Sequence, residues 1–499
     1  MTDCVLFYGD HVLPCLHKSA GPHRIATELR NNNISVQLID SSGLHSQHPI
    51  FKKLIDKFVD ENTAWVGVSG TFMVHVFNTQ FKKFKDISEK NEHLSQELIT
   101  FMEMCRARNP NVKFIYGGSK KFQLDHAGWY TFIGYADREI VEFTKWCKDS
   151  SYKPAINRVG KIIQCTEYED FSTCDVRYEK NDFVVPGECL PLEVARGCIF
   201  KCEFCAFPMN GKTKGEWVKR PNVLREELIR NWEEYQIDTY NFADDTYNDS
   251  IDKVRLLHDE VFTKLPFKMK FTSYIRLDLV MRFPETIELL RDSGLESAVC
   301  GIETLNHRSA KTMGKGVDPM KQIEFVAELK SNKWKDILVS SGFITGLPND
   351  KIEDLEFLEQ FLLSKNNPLD HWMVNPLGIF PPEVTGHINW YSDIDKNYKN
   401  YGYEMVGNPN ESGHFTQWVH KENNTSWEEC NVIAKRILNI SATQLDNYKI
   451  GGNFFWERLN LGVSREDLFN LSWKEIKQKY DLEELKKLRI KEYYTKFFS

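Results

Sequence analysis

From Leu190 onward, short apolar runs recur with helical patterns between them, and nothing else in the chain constrains the fold as tightly. The runs are LPLEVAR (190–196), TYNFAD (239–244), MKFTSYIRLD (269–278), SAVCGIE (297–303), ILVSSGFITG (337–346) and HWMVNPLGI (371–379). Amphipathic stretches such as NVLREELIRNWEEYQ (222–236) and PETIELLRDSG (284–294) separate them. Strands joined through helices lie parallel, because a parallel neighbour needs a long crossover. Six such units fall short of the eight that close a barrel. The expectation for 190–380 is therefore a partial (βα)6 barrel.

Residues 1–148 alternate in the same way. CVLFYG (4–9), VQLID (36–40), AWVGVSG (64–70) and VKFIYGG (112–118) read as strands. GPHRIATELRNNN (21–33), PIFKKLIDKFVD (49–60) and a stretch near 78–107 read as helices, and TFIGYADREIVEFTKWC (131–147) as a strand and a helix. This predicts an α/β, doubly wound Rossmann-like domain, whose ligands bind at the carboxyl ends of the strands. Ser69, Gly70, Gly117 and Gly118 fall there. Residues 149–189 read as a linker with some strand. Residues 381–499, rich in Trp and Tyr at first and then mainly helical, read as a C-terminal cap or substrate region. The late KEIKQKYDLEELKKLRIKEYY stretch reads as a solvated helix.

Composition narrows the class. A net charge of −7 over 499 residues gives no global attraction to nucleic acid. No apolar run reaches the roughly 18–20 residues that span a bilayer. The start, MTDCVLFYGDH, lacks a basic leader segment. Twelve cysteines scattered through so large a chain do not resemble a disulfide framework. A reducing, cytoplasmic setting is expected, where clustered cysteines serve metal or redox chemistry.

One such cluster exists. RGCIFKCEFC (196–205) puts Cys198, Cys202 and Cys205 within eight residues. A structural zinc site wants four protein ligands, yet the next cysteines are 189 and 300, and no histidine lies between 190 and 250. A [4Fe–4S] cluster held by three thiolates keeps its fourth iron open to a small chelating ligand. A zinc knuckle or simply buried thiols are the competing readings.

The spacing Cys198-x-x-x-Cys202-x-x-Cys205, with Phe204 before the last cysteine, resembles the motif of the radical SAM superfamily. The resemblance implies that S-adenosylmethionine (SAM) chelates the open iron and is cleaved by one electron to methionine and a 5′-deoxyadenosyl radical. It also implies that Phe204 shields the cluster near the adenine. FADDTYND (242–249) resembles the segment that meets the methionine amino group, with Asp244 and Asp245 as acceptors. GIETLNHRSAKTMGKG (301–316) resembles the GIE strand end, where Glu303 meets the ribose. GFITGLP (342–348) resembles the GxIxG signature, where the backbone at Ile344, between Gly342 and Gly346, lies along the adenine. Helix capping for the two aspartates, a structural ion pair for Glu303 and a buried strand and turn for GFITGLP are the plainer alternatives. Arg276, at another strand end, suits either the cofactor carboxylate or a salt bridge.

An α/β domain ahead of such a barrel resembles the cobalamin-binding subclass. Ser69 and Thr71, with Gly117 and Gly118, stand where those domains wrap the nucleotide tail. The D-x-H-x-x-G signature of a histidine axial ligand is missing, since LDHAG (124–128) and GDHVLP (9–14) both place Asp beside His. His126 and His11 are thus poor axial ligands. Cobalamin would imply methyl transfer to an unactivated substrate atom; a domain that kept the fold and lost the cofactor is the alternative. A methylthiotransferase-like enzyme would need three N-terminal cysteines, and Cys4, Cys15, Cys105 and Cys147 lack that spacing. A non-catalytic iron–sulfur or zinc module is the reading from a different class. The resemblance further implies a flavodoxin or ferredoxin as electron donor, and leaves the substrate, small molecule or peptide, open. In the tail, His414, Trp418 and His420 are candidates to line the substrate pocket, against plain aromatic packing.

Overall fold

A computed structural model describes residues 2–8, 18–40, 49–69, 96–118, 128–165, 171–207, 211–212, 217–383, 391–406 and 417–499. Its first sheet contains β1 (Cys4–Phe7), β2 (Val36–Ile39), β3 (Trp65–Ser69), β4 (Lys113–Gly117), β5 (Tyr130–Ile133), β6 (Asn157–Val159) and β7 (Ile162–Gln164). They stand in the order β2-β1-β3-β4-β5-β7-β6. All neighbours are parallel except the β6–β7 hairpin. The stretch read as a linker therefore supplies two strands to this sheet's edge. Strands with helices on both faces bury both sides, and β1 and β2 are accordingly buried at every position.

The second sheet is wholly parallel: β8 (Leu190–Leu192), β9 (Thr239–Phe242), β10 (Lys270–Ile275), β11 (Leu295–Glu303), β12 (Leu338–Thr345) and β13 (His371–Pro376), in that order. This is the open six-stranded barrel that the six apolar runs predict. Its outer row packs under the helices: Phe242 stacks on Phe271 at 4.3 Å, and Trp372 donates to Ser441 Oγ at 3.0 Å. The inner row alternates with it, so Val299, Gly301 and Glu303 face the lumen when Ala298, Cys300 and Ile302 are buried outward.

The C-terminal region adds a small antiparallel sheet, β14 (Tyr403–Met405), β15 (Trp418–His420) and β16 (Thr425–Ser426), and then helices. The turn at Gly451–Gly452 plugs the amino end of the lumen. A Cβ on Gly452 would sit 2.8 Å from Val299, and one on Gly451 2.2 Å from Ser340 Oγ. The last helix, Leu482–Phe498, corrects the expectation of a solvated helix. Tyr493 and Phe497 are buried in the N-terminal core beside Phe183, with rings 6.0 and 4.5 Å away. Its charged residues hid two aromatics at i and i+4, one face of a helix. Among the described residues no helix is long and apolar enough to cross a membrane.

Candidate active site

The cysteine loop leaves β8 at its carboxyl end and is fastened from several directions. Asp244, at the end of β9, accepts from Val194 N at 2.8 Å and Ala195 N at 3.1 Å through Oδ1. Arg196 N donates to Trp217 O at 2.9 Å, and Gly211 N to Cys198 O at 2.8 Å. Gly197 takes a φ of 73°, the left-handed turn that lets the chain reverse before Cys198. Cys205 N donates to Cys202 O at 3.0 Å, closing the loop on itself. From outside, Glu203 N donates to Met313 O at 3.4 Å and Ile394 N to Glu203 O at 3.0 Å.

Polar groups converge on the sulfurs. Cys198 Sγ accepts from Phe200 N at 3.5 Å and lies 3.4 Å from Thr246 Oγ1. Arg276 Nη1 donates to Cys202 Sγ at 3.8 Å, while Nε and Nη2 grip Asp278 at 2.9 and 2.5 Å. Arg276 thus resolves toward the salt bridge, with one N–H left for the cysteine loop. Its guanidinium also covers the Phe200 ring at 3.6 Å. For Cys198 burial outweighs these contacts and raises the thiol above its ordinary pKa. Among the described residues no three His, Cys, Asp or Glu side chains are arranged to hold a single metal ion.

Asp244 and Asp245 differ in role. Burial raises the Asp244 carboxyl to about 6, and its Oδ2 is buried with no hydrogen-bond partner. Burial, and then the neighbouring Asp244, raise Asp245 to about 7. Each is opposed by a lysine, Lys253 near Asp244 and Lys212 near Asp245, whose charge acts against the rise. Asp244 is no helix cap; it carries the backbone of β8's exit. Nearby, Lys253 pairs with Asp249 at 2.5 Å and Lys212 stands 3.7 Å from it, both within the buried interior. Sequence reading missed Lys212 and Lys253, because lone lysines carry no spacing signal.

Glu303 ends β11 with a φ of 71°, next to a break in the β11–β12 register. A non-glycine residue there carries backbone strain that its surroundings must hold in place. Lys315, from the GKG run, donates to Gly301 O at 2.9 Å and to Glu303 Oε1 at 3.3 Å. A Cβ on Gly301 would lie 2.5 Å from Glu303 Oε1, so this glycine is what leaves room for the carboxylate. On the adjacent strand β12 a Cβ on Gly342 would be 3.8 Å from Glu303 Oε2. Ile344 lies half-buried on the same inner row, and Phe204 is half-buried with Lys315 Nζ 5.7 Å from its ring. Gly346 serves another purpose. At a φ of 82°, its missing Cβ makes way for Trp418 at 2.4 Å and Cys430 Sγ at 2.8 Å.

Trp418 and His420 are thereby tied to packing. Trp418 is fully buried and donates to Leu377 O at 2.8 Å. His420 lies 2.9 Å from Tyr401 O and accepts from Asn423 N at 3.2 Å, and burial lowers its pKa. Both hydrogen bonds suit a neutral ring. His414, Thr71, His11 and His126 lie outside the described residues.

At the carboxyl edge of the N-terminal sheet, Ser69 and Gly117 stand in register on adjacent strands. Among the described residues a Cβ on Gly117 would meet Phe132, at 3.6 Å, and Gly118 has a φ of 138°.

Residues 192–362 match the family model described as the radical SAM superfamily. They are a radical SAM domain. Curated relatives include an uncharacterized methyltransferase of Pyrococcus horikoshii, 28% identical over 170 residues, 34% of this chain and 35% of that protein. The hopanoid C-2 methylase of Rhodopseudomonas palustris is 29% identical over 182 residues, 36% of this chain and 34% of that one. The chain thus spans about a third of the length of the curated relatives it matches. Among solved structures, the radical SAM methyltransferase TsrM of Kitasatospora setae, with cobalamin and a [4Fe–4S] cluster bound, superposes with a TM-score of 0.63 at 13% identity, covering 98% of this chain and 100% of that one. The cobalamin-dependent radical SAM enzyme OxsB gives 0.52 at 15% identity, over 92% and 66%. At such identities the likeness is one of fold, and it extends beyond the radical SAM domain to the N-terminal sheet.

Proposed function

We propose that this chain is a cobalamin-dependent radical SAM methyltransferase acting on an unactivated atom of a small-molecule or peptide substrate. The observation that carries the reading is the cysteine loop. Three thiols sit in the loop that leaves the carboxyl end of the first barrel strand, and buried Asp244 with half-buried Asp245 beyond the end of β9 and Glu303 at the end of β11 stand at the same edge of the sheet. Cys198, Cys202 and Cys205 would hold a [4Fe–4S] cluster, which supplies the electron that cleaves SAM to a 5′-deoxyadenosyl radical. Asp244 and Asp245 would take the methionine ammonium. Glu303, steadied by Lys315, would accept from the ribose hydroxyls, and the Gly342–Gly346 backbone would flank the adenine. Ser69, Gly117 and Gly118 would floor the site of cobalamin, which supplies the methyl group when bound. The end-to-end likeness of fold to TsrM supports the pairing of the two sites in one chain.

Anaerobic purification and reconstitution test this. The expected protein is brown, carries about four irons per chain by the cluster assignment, takes up cobalamin with its absorption bands, and forms 5′-deoxyadenosine from SAM when reduced. Iron without corrin, after cobalamin is supplied, would remove methyl transfer and leave radical chemistry. Colourless protein with stoichiometric zinc would overturn both.

A further inference from the structure

Among the described residues, Tyr135 and Arg196 meet between the carboxyl edges of the two sheets. Tyr135 lies in the turn between β5 and helix Asp137–Lys148, and Arg196 stands two residues before Cys198. The Arg196 guanidinium is held between two rings, 4.1 Å from the centre of Tyr135 and 4.6 Å from that of Phe171. Its Nε and Nη2 donate to the Glu193 carboxylate at 2.7 and 3.2 Å. The backbone of the same residue is pinned as well, N donating to Trp217 O and O accepting from Lys212 Nζ at 2.7 Å. With only 6% of its surface exposed, Arg196 has no alternative place to go.

The Tyr135 turn is equally constrained. Gly134 before it has a φ of 102°. Asp137 after it is buried and accepts from Arg24 Nε at 2.6 Å. Burial raises the Tyr135 phenol well above its ordinary pKa, with Glu193 and Asp245 near enough to add to this. A displacement of the β5 edge must therefore move the guanidinium or break the contact. Moving the guanidinium moves the residue that leads into Cys198.

We propose that Tyr135 is a positioning residue that couples the ligand edge of the N-terminal sheet to the cysteine loop through Arg196. The inference rests on the proposed use of both sites, and it assigns the coupling to the aromatic ring, not the hydroxyl. A cation against an aromatic face away from water contributes enough to change affinity about three- to tenfold.

The test uses the full chain with reconstituted cluster and no corrin. SAM is titrated while the change in the cluster's EPR spectrum is followed, and iron per chain is measured for every variant. Tyr135→Phe should bind SAM as the parent does. Tyr135→Leu should keep its iron and bind about three- to tenfold more weakly. In an Arg196→Met background, which already lacks the cation, Tyr135→Leu should add nothing further. Parent-like affinity in Tyr135→Leu, additive effects in the double variant, or loss of iron on removing the ring would each overturn the proposal. Failure of the parent to take up corrin refutes the cobalamin reading and leaves this affinity series standing.

Discussion

Replacing Asp244 by Asn should make the protein without cofactors more stable and its SAM site worse. Asp244 is 2% exposed, and its Oδ1 accepts two backbone N–H groups that an Asn oxygen would keep. Burial raises its pKa from 3.8 to about 6, so the folded state holds the proton more tightly than the unfolded chain. Stability then falls as pH rises through that interval, and above pH 6 the penalty is complete. It amounts to about 3 kcal/mol. The Asn amide replaces Oδ2, which has no partner, and an unsatisfied amide returns about 1–2 kcal/mol of that gain. The net expectation is a rise of a few degrees in melting temperature at pH 8, shrinking steadily as pH falls from 6 toward 4. SAM affinity, measured by calorimetry on the reconstituted protein, should drop at least about tenfold, since a hydrogen bond to a charged group is lost. A lower melting temperature at pH 8, or a gain independent of pH, would refute the assignment of burial as the cause of the shift.

Gly301→Ala should push the Glu303 carboxylate aside, because the new methyl would fall 2.5 Å from Oε1, and SAM affinity should weaken by about tenfold while iron content is kept. Gly346→Ala should instead destabilise the fold by about 2–4 kcal/mol in a denaturant titration, adding left-handed strain to the clash with Trp418. Arg276→Gln removes the cationic donor to Cys202 Sγ and should shift the cluster's reduction potential to more negative values in an EPR-monitored titration. Cys202→Ala should lose the cluster's iron, whereas Cys300→Ser, at a fully buried position on the outer row of β11, should retain it.

The order of strands and helices was legible because hydrophobic periodicity is a local property, repeated every few residues along the chain. The cysteine spacing was legible for the same reason, since the three cysteines lie within eight residues. Asp244, Asp245 and Glu303 could be named because each ends a strand in a recognisable phrase. Their tasks could not. Only tertiary structure makes Asp244 the anchor of β8's exit, Lys315 the partner of Glu303, and Gly346 the berth of Trp418, 72 positions further along the chain. The last helix shows the same limit: its charge pattern is local, but the burial of Tyr493 and Phe497 depends on a surface formed hundreds of residues earlier. Tyr135 and Arg196 carry no motif that links them, and their contact, across 61 positions of chain, joins two different sheets. Local pattern determined which elements form and which chemistry the cysteines start; long-range packing decided which residues bear on that chemistry, because contact across the chain leaves no periodic trace in it.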